Sequence, residues 1–126
     1  KKLHVMLYNY VQYSDIFADG ALPIDKTDRY KPFNMNHKKK FTLSFENVTQ
    51  SDALVKKYVI NRESGSCFDT FVKMGDVELK YDDELEYLKK SAGYAISLEE
   101  KRVENGSFTL EETLLPLEVR LIEIRL

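Results

Sequence analysis

Strand-like stretches recur along this chain at short intervals, and the longest helical pattern between them is the run Tyr81–Lys90. Short strands without long alternating helices cannot build βαβ units, and they point to stacked antiparallel sheets. The clearest stretch is Phe41-Thr42-Leu43-Ser44-Phe45-Glu46, which puts apolar residues on one face and polar ones on the other, as a half-buried antiparallel strand does. Leu3–Tyr13 carries Leu3, Val5 and Leu7 on one side and Met6, Tyr8 and Tyr10 on the other. A strand apolar on both faces is expected between layers. Leu54–Ile60 follows the polar turn Asn47–Asp52. Tyr94–Val103 and Ser107–Leu114 are joined by Glu104-Asn105-Gly106, a strong hairpin signal. In Leu117–Leu126 the apolar residues change face between Leu121 and Ile122, which predicts a bulge or a strand covered on both sides.

Two short helices are expected in the connections. Ser66–Met74 has Ser66 as N-cap, Asp69 three residues on and Gly75 at the exit. Tyr81–Lys90 has Asp82 as cap, acids in the first turn, lysines in the last, Leu85 and Leu88 toward the core, and Gly93 at its end. Ser14–Phe33 reads as a long irregular loop, tacked down by Ile16, Phe17, Leu22 and Tyr30. The expected fold is mainly β: an antiparallel β-sandwich of five or six strands with two short helices in the connections.

The 126 residues suit one domain, 1–126, with one substantial core. A formal charge of −2 and a pI near 5.7 give no general attraction for nucleic acid, so no direct nucleic-acid contact is expected. The one basic run, His37-Lys38-Lys39-Lys40, reads as a solvated loop. Cys67 is the single cysteine, so no intrachain disulfide can form; a cytoplasmic location is expected, with no membrane span. The chain opens Lys1-Lys2-Leu3 in mid-strand, which suggests a piece of something longer.

Catalytic chemistry finds little footing. His4 and His37 lie far apart, no second thiol is present, and neither a metal site nor a cofactor is expected. Cys67 stands at a helix start, where a thiol can be activated, but no histidine is near in sequence and the structural role is favoured. The acidic pairs Asp82/Asp83, Glu99/Glu100 and Glu111/Glu112 fall at a helix start and at strand positions read as exposed. The candidate surface is aromatic: Tyr8, Tyr10, Tyr13 and Tyr30 cluster in the first third and could face a partner or a sugar. Packing by amphipathic tyrosines is the favoured role, since no tryptophan platform accompanies them.

Several strings carry a resemblance: Leu7-Tyr8-Asn9-Tyr10, Tyr58-Val59-Ile60-Asn61-Arg62-Glu63-Ser64-Gly65-Ser66, Asp69-Thr70-Phe71-Val72-Lys73-Met74-Gly75, Glu86-Tyr87-Leu88-Lys89, and Leu115–Ile124. In order and spacing they resemble the C-terminal β-sandwich of glycoside hydrolase family 39, the β-xylosidase family. Phe71 stands where tryptophan is expected, Gln12 where histidine often follows, and the turn before Leu54 lacks a glycine. The resemblance implies catalysis by glutamates of a (β/α)8 barrel that would precede Lys1, so no catalytic residue transfers to this chain. The same region also occurs in long AraC-type transcriptional regulators of Firmicutes, which Tyr8–Tyr13 and Arg29-Tyr30-Lys31-Pro32-Phe33 resemble more closely.

The expectation is therefore a non-catalytic accessory domain of an AraC-type transcriptional regulator, packing on a (β/α)8 barrel of that parent. A β-xylosidase C-terminal domain and a carbohydrate-binding module are the alternatives. An apolar patch near Tyr8, Tyr10 or the final strand should then be exposed, with homodimer formation through it a further expectation.

Overall fold

A computed structural model describes all 126 residues. Six strands and three short helices follow one another: β1 (Lys2–Tyr8), α1 (Asp15–Ala18), β2 (Lys39–Phe45), β3 (Asp52–Ile60), α2 (Phe68–Lys73), α3 (Asp82–Ser91), β4 (Ala95–Arg102), β5 (Phe108–Leu114) and β6 (Val119–Arg125). They form two antiparallel sheets, one of four strands in the order β1-β6-β3-β4 and one of two strands, β2-β5. The expected β-sandwich is present, with one helix more than the sequence suggested. That helix, α1, is a single turn: the Phe17 N–H donates to the Ser14 side chain at 3.4 Å. Four residues are too few to show a helical period.

The core lies between the sheets. Leu7, Ala53, Val55, Ile122 and Ile124 from the four-stranded sheet meet Phe108, Leu110 and Leu114 from β5, with Val48 closing one end. Phe45 stacks on Phe108 across the β2–β5 pair, centroids 4.8 Å apart. β6 is one of two inner strands, paired in unbroken register with β1 on one side and β3 on the other. No bulge interrupts it, so the change of face in its sequence has the other cause: Ile122 and Ile124 face the core while Leu121 and Val119 look outward.

The Asn-Gly turn forms as expected, with Asn105 at φ 51° and Gly106 at φ 73° and reciprocal hydrogen bonds between Glu104 and Ser107. It does not make a hairpin of one sheet. The strands it joins part beyond the single Glu104–Ser107 bridge, β4 to the larger sheet and β5 to the smaller. Turn chemistry fixes the reversal; burial of the inner faces decides the pairing.

Two expected caps move by a residue. The cap position of α2 is Cys67, partly buried and free, while Ser66 still accepts from the Phe68 N–H at 3.3 Å. For α3 it is Tyr81, with Asp82 already helical; the Glu84 carboxylate accepts from the N–H groups of Lys80 (3.1 Å) and Tyr81 (3.3 Å). Acids early and Lys89 and Lys90 late complement the helix dipole, as read from sequence. Leu88 is buried as expected, but Leu85 is exposed.

Candidate functional site

The register of the four-stranded sheet assigns every side chain to one of two faces. Toward the two-stranded sheet point Leu3, Val5 and Leu7 of β1, Ile122 and Ile124 of β6, and Ala53 and Val55 of β3. On the outer face one row crosses all four strands: Met6 opposite Leu121, Leu121 opposite Tyr58, Tyr58 opposite Ile96. The next row holds Tyr8, Val119 and Ile60. Leu98 lies beside Ile96 on the same side of β4, and Tyr94 packs edge-on against Tyr58 with centroids 5.6 Å apart.

Leu121 and Tyr58 in the middle of this face are partly buried, and the residues around them are open to solvent. Met6 is 65% exposed, Tyr8 64%, Ile96 51% and Leu98 65%. β4 makes the point most clearly, because its inward positions carry Ser97, Glu99 and Lys101 while its apolar residues face out. A strand that had only the sandwich core to satisfy would show the opposite pattern. An apolar face spread over four strands, with Lys56, Glu123 and His4 in a charged row beside it, has the form of a docking surface. An apolar patch was expected near Tyr8, Tyr10 or the final strand; the one observed includes Tyr8 and the outward residues of β6 and extends across the sheet to β4.

The four candidate tyrosines occupy different settings. Tyr8 belongs to the outer face, and Tyr10 is exposed just beyond β1. Tyr13 packs with Phe17 and Phe33, centroids 4.9 and 4.8 Å away. Tyr30 is half-buried under two guanidinium groups, Arg29 at 4.7 Å and Arg62 at 4.3 Å from its centroid. The rings of Tyr13 and Tyr30 are thus engaged by neighbouring side chains.

Between the sheets runs an ionic cluster that the sequence reading missed. Glu111/Glu112 were expected at exposed positions; Glu112 is in fact 3% exposed and points inward in step with Phe108, Leu110 and Leu114. It pairs with Lys57 Nζ at 2.6 Å and with Arg120, both from the opposite sheet. Arg120 also pairs with the buried Glu118, which accepts from Asn61 Nδ2 at 3.3 Å. The strict alternation through Phe108-Thr109-Leu110-Glu111-Glu112-Thr113-Leu114 was the signal that could have revealed it. Burial alone would push the Lys57 ammonium down, but its hydrogen bonds to Glu112 and Glu99 hold it above its usual value. Glu99 is held low by hydrogen bonds from Lys101 and Lys57. Such a cluster joins the two sheets, each of its carboxylates lying against at least one cation.

The segment Ile60–Gly75 and the loop before β2 enclose a polar cleft of about 770 Å³ at the end of the sandwich where β3 finishes. Lys26, Thr27, Arg62, Glu63, Ser66, Asp69, Thr70 and Lys73 line it, with Val72 the single apolar contribution. Asp69 lies between Arg29 Nε (3.3 Å) and Arg62 Nε (3.5 Å). Asn61 shapes the turn beneath: its Oδ1 accepts from the N–H groups of Glu63 (2.9 Å) and Ser64 (3.0 Å). No group of three or more His, Cys, Asp or Glu side chains is placed to hold a metal, and no helix is long and apolar enough to cross a membrane.

No family model and no curated protein matches this sequence. Solved structures do. The GH39 enzyme from Xanthomonas axonopodis pv. citri superposes with a TM-score of 0.69 at 10% identity. A monomeric beta-xylosidase from Caulobacter crescentus CB15 does so with a TM-score of 0.64 at 12% identity. Each match covers 98% of this chain and 24% of the other. What these matches share with this chain is the β-sandwich fold, and the chain spans about a quarter of the length of each of the two proteins.

Proposed function

We propose that this chain is a non-catalytic accessory β-sandwich of a longer, family-39-like polypeptide, and that the outer face of its four-stranded sheet docks on the (β/α)8 barrel of that polypeptide. The observation that carries this reading is the apolar row Met6–Leu121–Tyr58–Ile96, with Leu98 and Tyr8 beside it, facing away from the domain's own core. Burying such a face is favourable by about 25 cal/mol per Å² of apolar surface, which gives a domain a reason to remain attached. The structural neighbours, a GH39 enzyme and a beta-xylosidase, support a glycosidase-like parent, in which this domain braces the barrel. The tyrosine-rich opening Tyr8–Tyr13 and the string Arg29–Phe33 support the other parent, an AraC-type transcriptional regulator, in which it would help form an effector-sensing or dimerising region. A free-standing carbohydrate-binding module is the weaker reading, since Tyr13 and Tyr30 already stack within the domain.

The reading frame upstream of Lys1 tests this. A barrel with paired strand-end glutamates behind a short N-terminus makes the parent an enzyme. A helix-turn-helix with a basic recognition helix makes it a regulator. A frame with no barrel overturns the proposal.

A further inference from the structure

Arg62 and Arg29 share Asp69 and both lie over Tyr30, yet they are used differently. Arg29 is spent inside the protein: it also covers the Phe68 ring at 4.1 Å, and its Nη2 donates to the Tyr30 hydroxyl at 2.9 Å. Arg62 is exposed, and only its Nε is engaged, by Asp69. Arg62 Cζ lies over the Tyr30 ring at 4.3 Å and its Nε lies 3.5 Å from Asp69, while Nη1 and Nη2 carry no protein acceptor. A guanidinium held in place with its donor fork free suits a carboxylate or phosphate, which it meets with two parallel hydrogen bonds.

The rest of the cleft agrees. Lys73 of α2 lines it and pairs with no carboxylate. Lys26 is taken up by Asp76, so Arg62 and Lys73 are the cations that face Glu63 and Asp69, and Asp69 is already offset by Arg29 from behind. Ser66 accepts through its oxygen from the Phe68 N–H, so its hydroxyl proton remains to donate. Thr70 and Glu63 add further partners for ligand hydroxyls, and Val72 alone is apolar. The volume, about 770 Å³, falls in the ordinary range for small-molecule sites.

We propose that this cleft binds an oxyanion group carried on a small polyhydroxylated ligand, a sugar acid or a sugar phosphate. Arg62 anchors the anion, Lys73 supplies the second charge, and Ser66, Thr70 and Glu63 meet the hydroxyls. The site lies apart from the outer face and does not depend on the docking role.

Titration of the 15N-labelled chain with glucuronate, glucose 6-phosphate, inorganic phosphate and glucose tests it by amide shifts. Saturable shifts at Arg62–Lys73 are expected with glucuronate or glucose 6-phosphate and none with glucose. Arg62→Gln should weaken binding at least about tenfold, and Arg62→Lys should not restore it, because an ammonium cannot reproduce the fork. Lys73→Gln, at an exposed helix position that leaves folding intact, should weaken it about threefold, and it decides the matter if the Arg62 variants fail to fold. Phosphate binding as tightly as the sugar phosphate keeps the anion anchor and overturns the hydroxyl contacts. The proposal falls if neither charged sugar gives a saturable shift, if glucose binds equally well, or if the folded variants bind as the unmodified chain does.

Discussion

Glu112 shows how one inward carboxylate ties two sheets together. Taking it out of water is costly, and the cost is met because Lys57 and Arg120 approach from the opposite sheet. Glu112→Leu should therefore destabilise by about 3 kcal/mol, since Lys57 and Arg120 each lose a buried partner and keep only Glu99 and Glu118. Adding Lys57→Met should recover part of that loss, because Arg120 keeps Glu118 while the lysine no longer needs a partner. Urea unfolding of the two singles and the double gives the coupling; additivity would contradict this account. Glu99 yields a pH dependence at the same scale. Its folded value lies below the ordinary 4.5, so the stability it contributes is present above 4.5 and is lost as pH falls through the lower folded value. Thermal unfolding between neutral and acid pH should show that loss, and Glu99→Gln should make it smaller. Glu112 was legible in the sequence only through its phase: identity argued for the surface, alternation for the core, and alternation was right.

Among the elements, the strand–turn–helix Ile60–Gly75 was read closely from sequence, because its turn is local chemistry. Gly65 adopts φ +94°, and a Cβ there would stand 2.8 Å from Ile60 Cγ2. Gly65→Ala should cost about 1–2 kcal/mol, read as a lowered urea midpoint at unchanged slope. An unchanged midpoint would mean that the turn relaxes freely. Strand positions were also legible, since alternation and the Asn105-Gly106 pair mark them directly. The division of strands between sheets was not. Asn-Gly specifies a reversal, while the choice between a hairpin and a crossing depends on which inner faces meet, and that information lies in contacts far apart in sequence. The one-residue shifts at Ser66/Cys67 and Asp82/Tyr81 lie within the one or two residues by which helix ends vary with the criterion that defines them.

For the whole molecule, the central claim is that the outer face of the four-stranded sheet is built to be covered. The sequence hinted at this in β1, where Met6 and Tyr8 share a side, but not in β4, where Ile96 and Leu98 could equally have faced the core. Only one side of the polar cleft was legible: Arg62, Glu63, Ser66 and Asp69 crowd together within Ile60–Gly75, whereas Lys26 and Arg29 reach it from a distant segment. The most direct test is hydroxyl-radical footprinting of this chain alone and within its longer polypeptide, read by mass spectrometry residue by residue. Met6, Tyr8 and Tyr94 should lose most of their reactivity in the longer protein, while Tyr81 and Tyr87, exposed at and along α3, keep theirs. Equal labelling of Met6, Tyr8 and Tyr94 in the two forms would contradict the claim.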